Sequence, residues 1–449
     1  MSHRLLAVGW DGVDAALVDE LVSAGRLPVL ASLRHAGATV AVRPLPGLGD
    51  DAHWASFATG LPPGVHGRFH HVQPNPGRYT DRHFDRKTMS VTPFWQHLDA
   101  LGRKVAVVDV PKSPMATLTH GVEITDWMVH GPDGPEVRAN TAELAQQWVQ
   151  RWPNDPGFDC DIPKRSEAIL DDHWELLQRR RARRTAALEE MVRSGPPDLM
   201  LAVYAEGHCA SHHLWHRPEA VREMLEALDA DLGRLIAATD GPPESVAVFG
   251  LVGMTADTTA GDVIEAALQR LEPSLMNSRL SLERTIRTLA RRPIPDPKHR
   301  QRRAVYPLPH DALSTPIRIN LAGREPYGMV KPGRQLQQLQ ARLTEELLAL
   351  TDADTGTPIV TEVVMVSERY PGPRSDRFAD LLACWDVTEP HRSAVSPTLG
   401  RIDVERPLRR TGDHRGGGWL TYAAPDRSLP PPGELEVMDL APLLSGLCG

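Results

Sequence analysis

Four short apolar runs constrain the fold of this chain more than any other feature. Leu5–Val8, Lys104–Val108, Leu199–Tyr204 and Val246–Phe249 are each bounded by polar or turn-forming residues. That is how strands buried on both faces read. Helical periodicities fill the intervals, over Val13–Ala24, Glu167–Val192 and Pro218–Ala238. The last of these places Val221, Met224, Leu225, Leu228, Leu232 and Leu235 on one face. Strands alternating with helices predict an α/β fold with a mostly parallel central sheet and helices on both faces. Beyond Ile317, an alternating run (Ile317–Leu321), an amphipathic helix (Leu336–Leu350) and two apolar runs (Val360–Val366, Leu381–Asp386) follow. These read as completing the same sheet. The expected organisation is one domain over residues 1–449, with 75–164 and 259–316 as candidate lid or insertion segments.

A core built from 449 residues needs no disulfide staples. The four cysteines (Cys160, Cys209, Cys384, Cys448) show no regular spacing and read as free thiols in a reducing compartment. A formal net charge of -8 argues against a general nucleic-acid partner. No run approaches the ~20 apolar residues of a membrane span, and the N-terminal apolar run is too short for a secretion signal. The expectation is a cytoplasmic protein without a membrane or nucleic-acid partner. Two basic stretches, Arg179–Arg184 and the Pro-rich Arg291–His310, read first as solvated faces. The alternative is that some of these arginines reach over a cleft to an anionic substrate.

Four constellations carry chemistry. Asp11, in Gly9-Trp10-Asp11-Gly12, follows the first strand, where open α/β sheets place ligands; it could equally cap the next helix. Asp50 and Asp51 lie just before His53 and could serve as metal ligands, as general bases or as a polar turn and cap. In Glu206-Gly207-His208-Cys209-Ala210-Ser211-His212, two histidines stand four residues apart after a predicted strand. One helical turn then puts both imidazoles on one face, as in helical zinc sites, and His216 would continue that face. Last, His414 sits in Asp413-His414-Arg415-Gly416-Gly417-Gly418, where the glycines allow close backbone approach.

In order along the chain, these segments resemble the alkaline-phosphatase superfamily, and within it the type I phosphodiesterase and nucleotide pyrophosphatase group. The resemblance rests on Gly9–Gly12, Gly25-Arg26-Leu27-Pro28, and Trp54–Gly60 with Pro63 and His66-Gly67. It continues through His208–His216, Gly253-Met254, Asn320–Pro326 and Gly412-Asp413-His414. It implies an alkaline-phosphatase-like sandwich in which two divalent metals, usually zinc, clamp a phosphoryl group. A metal-activated Ser or Thr attacks phosphorus.

Carried onto this sequence, the pattern is altered. Asp11 matches a ligand of one metal. The Asp-His pair expected just before Gly253-Met254 is Leu251-Val252, and neither side chain binds metal. The nucleophile position, nine residues before Thr59, is Asp50, and no Ser or Thr occurs from Val42 through Trp54. At the other metal, His208 replaces the usual Asp, while His212 and His414 match. The resemblance therefore implies one divalent ion (zinc first, iron or manganese as alternatives) held by His208, His212 and His414, with Asp11 and Asp50 as further ligand candidates. Asp50 and Asp51 are the catalytic candidates. Asn320, Arg324 and Arg415 are candidates for holding a small anionic substrate, and Glu206 and His216 for supporting the ligands. The expected activity is hydrolysis of a phosphodiester or phosphomonoester. Two readings stand beside it: non-hydrolytic metal chemistry on a small metabolite, and a non-catalytic binding role.

Overall fold

The computed structural model describes residues 4–129, 136–155, 166–239, 245–275, 300–309, 313–385, 390–405, 410–424 and 433–448. Strand Leu5–Trp10 lies inside a nine-stranded sheet, parallel to Leu199–Tyr204 on one side and Ser245–Gly250 on the other. Leu5 stands opposite both Leu199 and Ser245. Val105–Val108 continues the parallel run beyond Leu199–Tyr204, and Val122–Thr125 pairs parallel to it. These are the four apolar runs of the sequence, joined by Val122–Thr125. The central strands are buried along their whole length because helices cover both faces.

Side-chain alternation divides the core. Leu6, Val8 and Trp10 point into a cluster with Val18, Leu21, Leu188, Leu225 and Leu232, contributed by helices Ala15–Ser23, Glu167–Ser194 and Pro218–Ala238. Leu5 and Ala7 point the other way, to Trp54, Phe57, Leu98 and Leu444, from helices Asp50–Thr59, Phe94–Ala100 and Leu440–Leu447.

The C-terminal part departs from expectation. Gly418–Ala423 and Leu435–Glu436 do complete the central sheet, against Ala38–Arg43. Ser314–Ile319, Leu381–Trp385 and Val360–Met365 instead form a separate antiparallel sheet with Val305–Pro307. Antiparallel neighbours need no crossover helix, so these strands pair with one another. They bury their own cluster, including Val263, Leu268, Ile317, Leu343 and Leu381, under helices Gly261–Leu275 and Arg334–Leu348. Of the readings above, Asp386, Cys160 and residues 291–299 and 310 of the basic stretch lie outside the described residues.

Candidate metal centre

The carboxyl ends of the parallel strands supply the polar residues. Helix Glu206–Leu214 begins just past strand Leu199–Tyr204 and carries His208 and His212 one turn apart, both buried. His414 lies on the short strand Gly412–Arg415, opposite Met254 of Gly253–Ala256. Helix and strand are stapled together: Thr411 N–H donates to the His212 carbonyl at 2.9 Å. A Cβ on Gly412 would stand 2.2 Å from the Ser211 carbonyl oxygen, so only glycine fits. The His208 and His212 ring centroids are 4.5 Å apart, and His414 stands nearly perpendicular to both at 4.9 and 5.1 Å. One ring nitrogen from each histidine lies within 4.8 Å of the others, and among the described residues these three form the group able to hold a metal ion.

Proton placement fits such an ion. His208 Nδ1 donates to Asp11 Oδ2 at 2.9 Å, and Trp54 Nε1 donates to Asp11 Oδ1 at 2.9 Å. Nε2 is then the nitrogen that His208 can offer a metal. His212 Nδ1 donates to the Gly412 carbonyl at 2.9 Å, with the same consequence. Orienting partners of this kind usually accompany metal-bound histidines. Among the described residues His414 Nδ1 is buried without a hydrogen-bond partner, an arrangement that costs about 1–3 kcal/mol unless something ligates it. Burial opposes charge on His208, but Asp11, helped by Asp50, raises its pKa to about 9. Burial, Arg410 and the other two imidazoles hold His212 well below the usual histidine range. Burial and His208 lower His414. Asp11 is thus placed as the hydrogen-bond partner of His208, outside the three-histidine group.

Asp50 and Asp51 open helix Asp50–Thr59, where the helix dipole favours carboxylates. His53 fixes the approach: its Nε2 accepts from Leu45 N–H at 2.8 Å and its Nδ1 donates to the Gly49 carbonyl at 2.7 Å. The two aspartates then diverge. Asp51 accepts from Arg68 Nε at 2.8 Å and Nη2 at 2.5 Å, and it faces His71 Nδ1 at 3.5 Å and Lys112 Nζ at 4.0 Å. Burial would raise its pKa, but Lys112, Arg68 and His71 hold it well below the usual carboxylate range. The Asp50 side chain makes no hydrogen bond among the described residues, although it is buried, and its charge reaches both His208 and His414.

The nearby Ser56 is unsuited to act as a nucleophile. Its Oγ is 2.9 Å from His66 Nε2, but His66 Nδ1 accepts from Arg68 N–H at 3.1 Å. The neutral ring therefore carries its proton on Nε2 and donates to Ser56 rather than accepting from it. Burial, first, with Arg68 and Arg374 lowers the His66 pKa to about 3, so the ring stays neutral.

Other expected site residues fall elsewhere. Arg324 is committed to Asp380 at 2.7 Å and Glu325 at 2.9 Å. Asn320 accepts from Tyr79 Oη at 2.8 Å and donates to the Arg303 carbonyl at 2.9 Å. Both brace the smaller sheet. Arg415 is exposed beside His414 and has no ion pair among the described residues. His216 does not continue the histidine face, because the helix ends at Leu214; its Nε2 faces Glu167 at 3.7 Å. Glu206, the first residue of that helix, is 3.2 Å from Arg184.

The Arg179–Arg184 run is not a solvated face throughout. Arg179 pairs with Glu175 on the exterior, whereas Arg180 and Arg184 are fully buried. Three participants escaped the sequence reading: Trp54, which orients Asp11, and Arg68 and Lys112, which neutralise Asp51. Lys112 has a left-handed φ of 60°, uncommon for a side-chain-bearing residue and typical of functional loops. Nothing in its sequence neighbourhood signals that. Trp54 could have been found, since it lies in the segment that carries the family resemblance.

Among curated proteins, none matches the sequence. Solved structures do match in shape. Phosphonoacetate hydrolase from Sinorhizobium meliloti 1021, in complex with phosphonoacetate, aligns over 100% of this chain and 96% of its own, with a TM-score of 0.60 and 16% identity. Murine ectonucleotide pyrophosphatase/phosphodiesterase 5 in complex with AMP aligns over 99% and 95%, at 0.53 and 13%, and the human protein over 99% and 94%, at 0.53 and 14%. At such identities the likeness establishes the alkaline-phosphatase-like fold. The family model for type I phosphodiesterase / nucleotide pyrophosphatase matches residues 5–387. The chain belongs to the type I phosphodiesterase / nucleotide pyrophosphatase family of the alkaline-phosphatase superfamily.

Proposed function

We propose that the chain is a metal-dependent hydrolase of a small anionic phosphorus ester, a phosphodiester or phosphomonoester, with one divalent ion held by His208, His212 and His414. The observation that carries this reading is the buried, partnerless Nδ1 of His414 in a group of three converging imidazoles. A bound ion would displace the second proton that Asp11 favours on His208, and three neutral imidazoles suit zinc, with iron or manganese as alternatives. Such an ion would supply Lewis acidity toward a phosphoryl oxygen and acidify water at neutral pH.

The chain's own residues divide the remaining work. Asp50, buried and without a hydrogen bond, is the base that takes the proton from attacking water, or else the nucleophile itself. Asp51 is too weak a base for that role, because Lys112 and Arg68 stabilise its charged form. Arg68, Lys112 and His71 gather around the carboxylate of Asp51, a basic cluster that suits an anionic substrate nearby. Arg415, exposed beside His414, is the candidate for a substrate oxygen. The ligands of two structural neighbours, phosphonoacetate and AMP, are small anions of this kind. Leu251 and Val252 are buried in the apolar cluster that contains Trp54 and Phe249, which supports one metal rather than two.

A second reading, non-hydrolytic metal chemistry on a small metabolite, is favoured by the unsuitable wiring of Ser56. Metal analysis of the purified protein, with His208→Ala and His414→Ala, tests the centre; unchanged metal content in both variants would sink it. Turnover of an aryl phosphodiester and an aryl phosphomonoester tests the reaction, and a metal-loaded protein inert to both would favour the second reading. Asp50→Asn should cost at least ~100-fold in kcat, the usual weight of a general base, with metal retained. Loss of metal in that variant would make Asp50 a ligand instead, and an unchanged rate would remove it from the chemistry.

A further inference from the structure

Helix Glu206–Leu214 carries two of the three histidines, yet its start is not held by a capping side chain. Ala205 occupies the cap and offers none. What meets the first turn is Arg184, which projects from the middle of helix Glu167–Ser194 with its side chain fully buried. One guanidinium nitrogen donates to Asp109 Oδ2. The other donates to the Met128 carbonyl at 3.0 Å and to Glu206 Oε1 at 3.2 Å. The guanidinium also lies over the rings of Tyr204 and Trp127, at 5.5 and 5.9 Å. A single side chain therefore joins the segments that follow strands Val105–Val108, Val122–Thr125 and Leu199–Tyr204.

The anchor on the far side is itself rigid. Asp109 accepts from Trp127 N–H at 2.8 Å and Met128 N–H at 2.9 Å. Its φ of 55° is a left-handed conformation that costs about 1–3 kcal/mol and persists only where surroundings impose it. For stability alone this arrangement is a poor choice. Buried ion pairs of this kind seldom outperform well-packed apolar residues of the same volume, and the neighbours here, Trp127, Met128, Tyr204 and Ala187, are core residues. A rigid fork with fixed donor directions offers what apolar packing does not, namely a defined position for the residue it grips. The residue gripped is Glu206, two positions before His208.

We propose that Arg184 is a positioning residue for the metal centre: through Glu206 it fixes the first turn of the helix that carries His208 and His212, and so sets their imidazoles against His414. This rests on the reading of the three histidines as metal ligands. Arg184 touches neither substrate nor metal, and its effect is on affinity and coordination geometry.

The test uses the full chain, stripped of metal and titrated with Co2+, whose visible spectrum reports ligand geometry, and with Zn2+ in competition with a chelator. Three variants are compared. Arg184→Lys keeps the charge but loses the fork. Arg184→Met leaves Glu206 without its cation. Arg184→Met with Glu206→Gln removes two of the three buried charges and leaves Asp109 its two backbone donors. Perturbing groups that orient metal ligands typically weakens affinity 10–100-fold. The expectation is a loss of at least ~10-fold in Zn2+ affinity and an altered Co2+ spectrum in Arg184→Lys and in the double variant, each titrated at a temperature where its melting curve shows it folded. Wild-type affinity and spectrum in both of those folded variants would overturn the proposal and leave Arg184 a purely structural group. If the parent protein binds neither Co2+ nor Zn2+, or His414→Ala binds them equally well, the metal centre itself fails and the positioning role falls with it.

Discussion

Gly12→Ala should cripple the site while leaving the fold intact. Gly12 has a φ of 64°, and a Cβ placed there would lie 2.6 Å from His208 Cα and 2.7 Å from His208 Cβ. Ordinary contact begins at 3.4 Å, so the backbone carrying His208 must yield by about 0.8 Å, the difference from that contact limit. Neither partner moves easily, because Gly12 follows a central strand and His208 is pinned to Asp11. Two costs combine: a left-handed alanine, about 1–2 kcal/mol, and overpacking, about 1–3 kcal/mol. Gly25 separates them. Its φ is 73°, and a methyl group there would have nothing within 4 Å, so Gly25→Ala carries the strain without the clash. Misplacing a catalytic group by about 1 Å costs on the order of 100-fold in rate. Both variants should unfold somewhat earlier in chemical denaturation, but Gly12→Ala alone should lose Zn2+ affinity by ~10-fold or more and aryl phosphodiester turnover by ~100-fold. Equal metal affinity and equal turnover in the two folded variants would refute the claim that His208 must sit where Gly12 allows.

Two further outcomes concern buried charge. Asp51→Asn strips the fully buried Arg68 of its carboxylate and should destabilise by about 3–5 kcal/mol, measured by urea denaturation at pH 7. The Asp51 pKa is depressed in the folded state, so its stabilisation is present above the unfolded carboxylate pKa and fades as pH falls towards the folded value. The variant should therefore lose less stability than the parent as pH falls below about 4, near the unfolded value of 3.8, and parallel curves in that range would contradict this. Glu123 behaves in the opposite sense. Burial raises its pKa from 4.5 to about 7, with Ala116 N–H opposing. The folded state keeps its proton where the unfolded state releases it, so stability declines as pH rises from about 4.5 to about 7, by at most about 3 kcal/mol. Glu123→Gln should remove that decline, and its stability relative to the parent should be greater at pH 8 than at pH 5. A difference independent of pH would show that Glu123 titrates normally.

Much of this was legible in sequence because the informative features are local. Four buried strands are short apolar runs, and His208 and His212 need only a four-residue spacing. The pairing of His414 with them followed from family order and not from any spacing, since about two hundred residues intervene. What could not be read depends on contacts between distant segments. Arg180 and Arg184 belong to a basic run that resembles a solvated helix face; their burial is decided by Asp109, Met128 and Glu206, none of which neighbours them in sequence. Asp50 and Asp51 are chemically identical in sequence, and only Arg68 and Lys112 distinguish them. Arg324 looks like an anion holder until Asp380 is placed beside it. The strands after Ile317 look like members of one sheet because a buried apolar run does not say which partner it chooses.

The altered ligand pattern also explains the position of Asp11. In the arrangement implied by the family, that carboxylate faces a second metal. The positions that the resemblance matches to that metal's other ligands are Leu251 and Val252, packed with Trp54, Phe249 and Val203, and the Trp54 indole N–H takes one Asp11 oxygen. The other oxygen holds His208, which the resemblance aligns with the family's aspartate. A carboxylate left in apolar surroundings without a cation would be costly. Substitution of His208 supplies that cation or, with a metal bound, a strong hydrogen-bond donor polarised by the ion. On the one-metal reading proposed above, the loss of one ligand pair and the change at His208 are coupled through Asp11. Loss of the ligand pair alone would strand the Asp11 charge, and His208 supplies its partner.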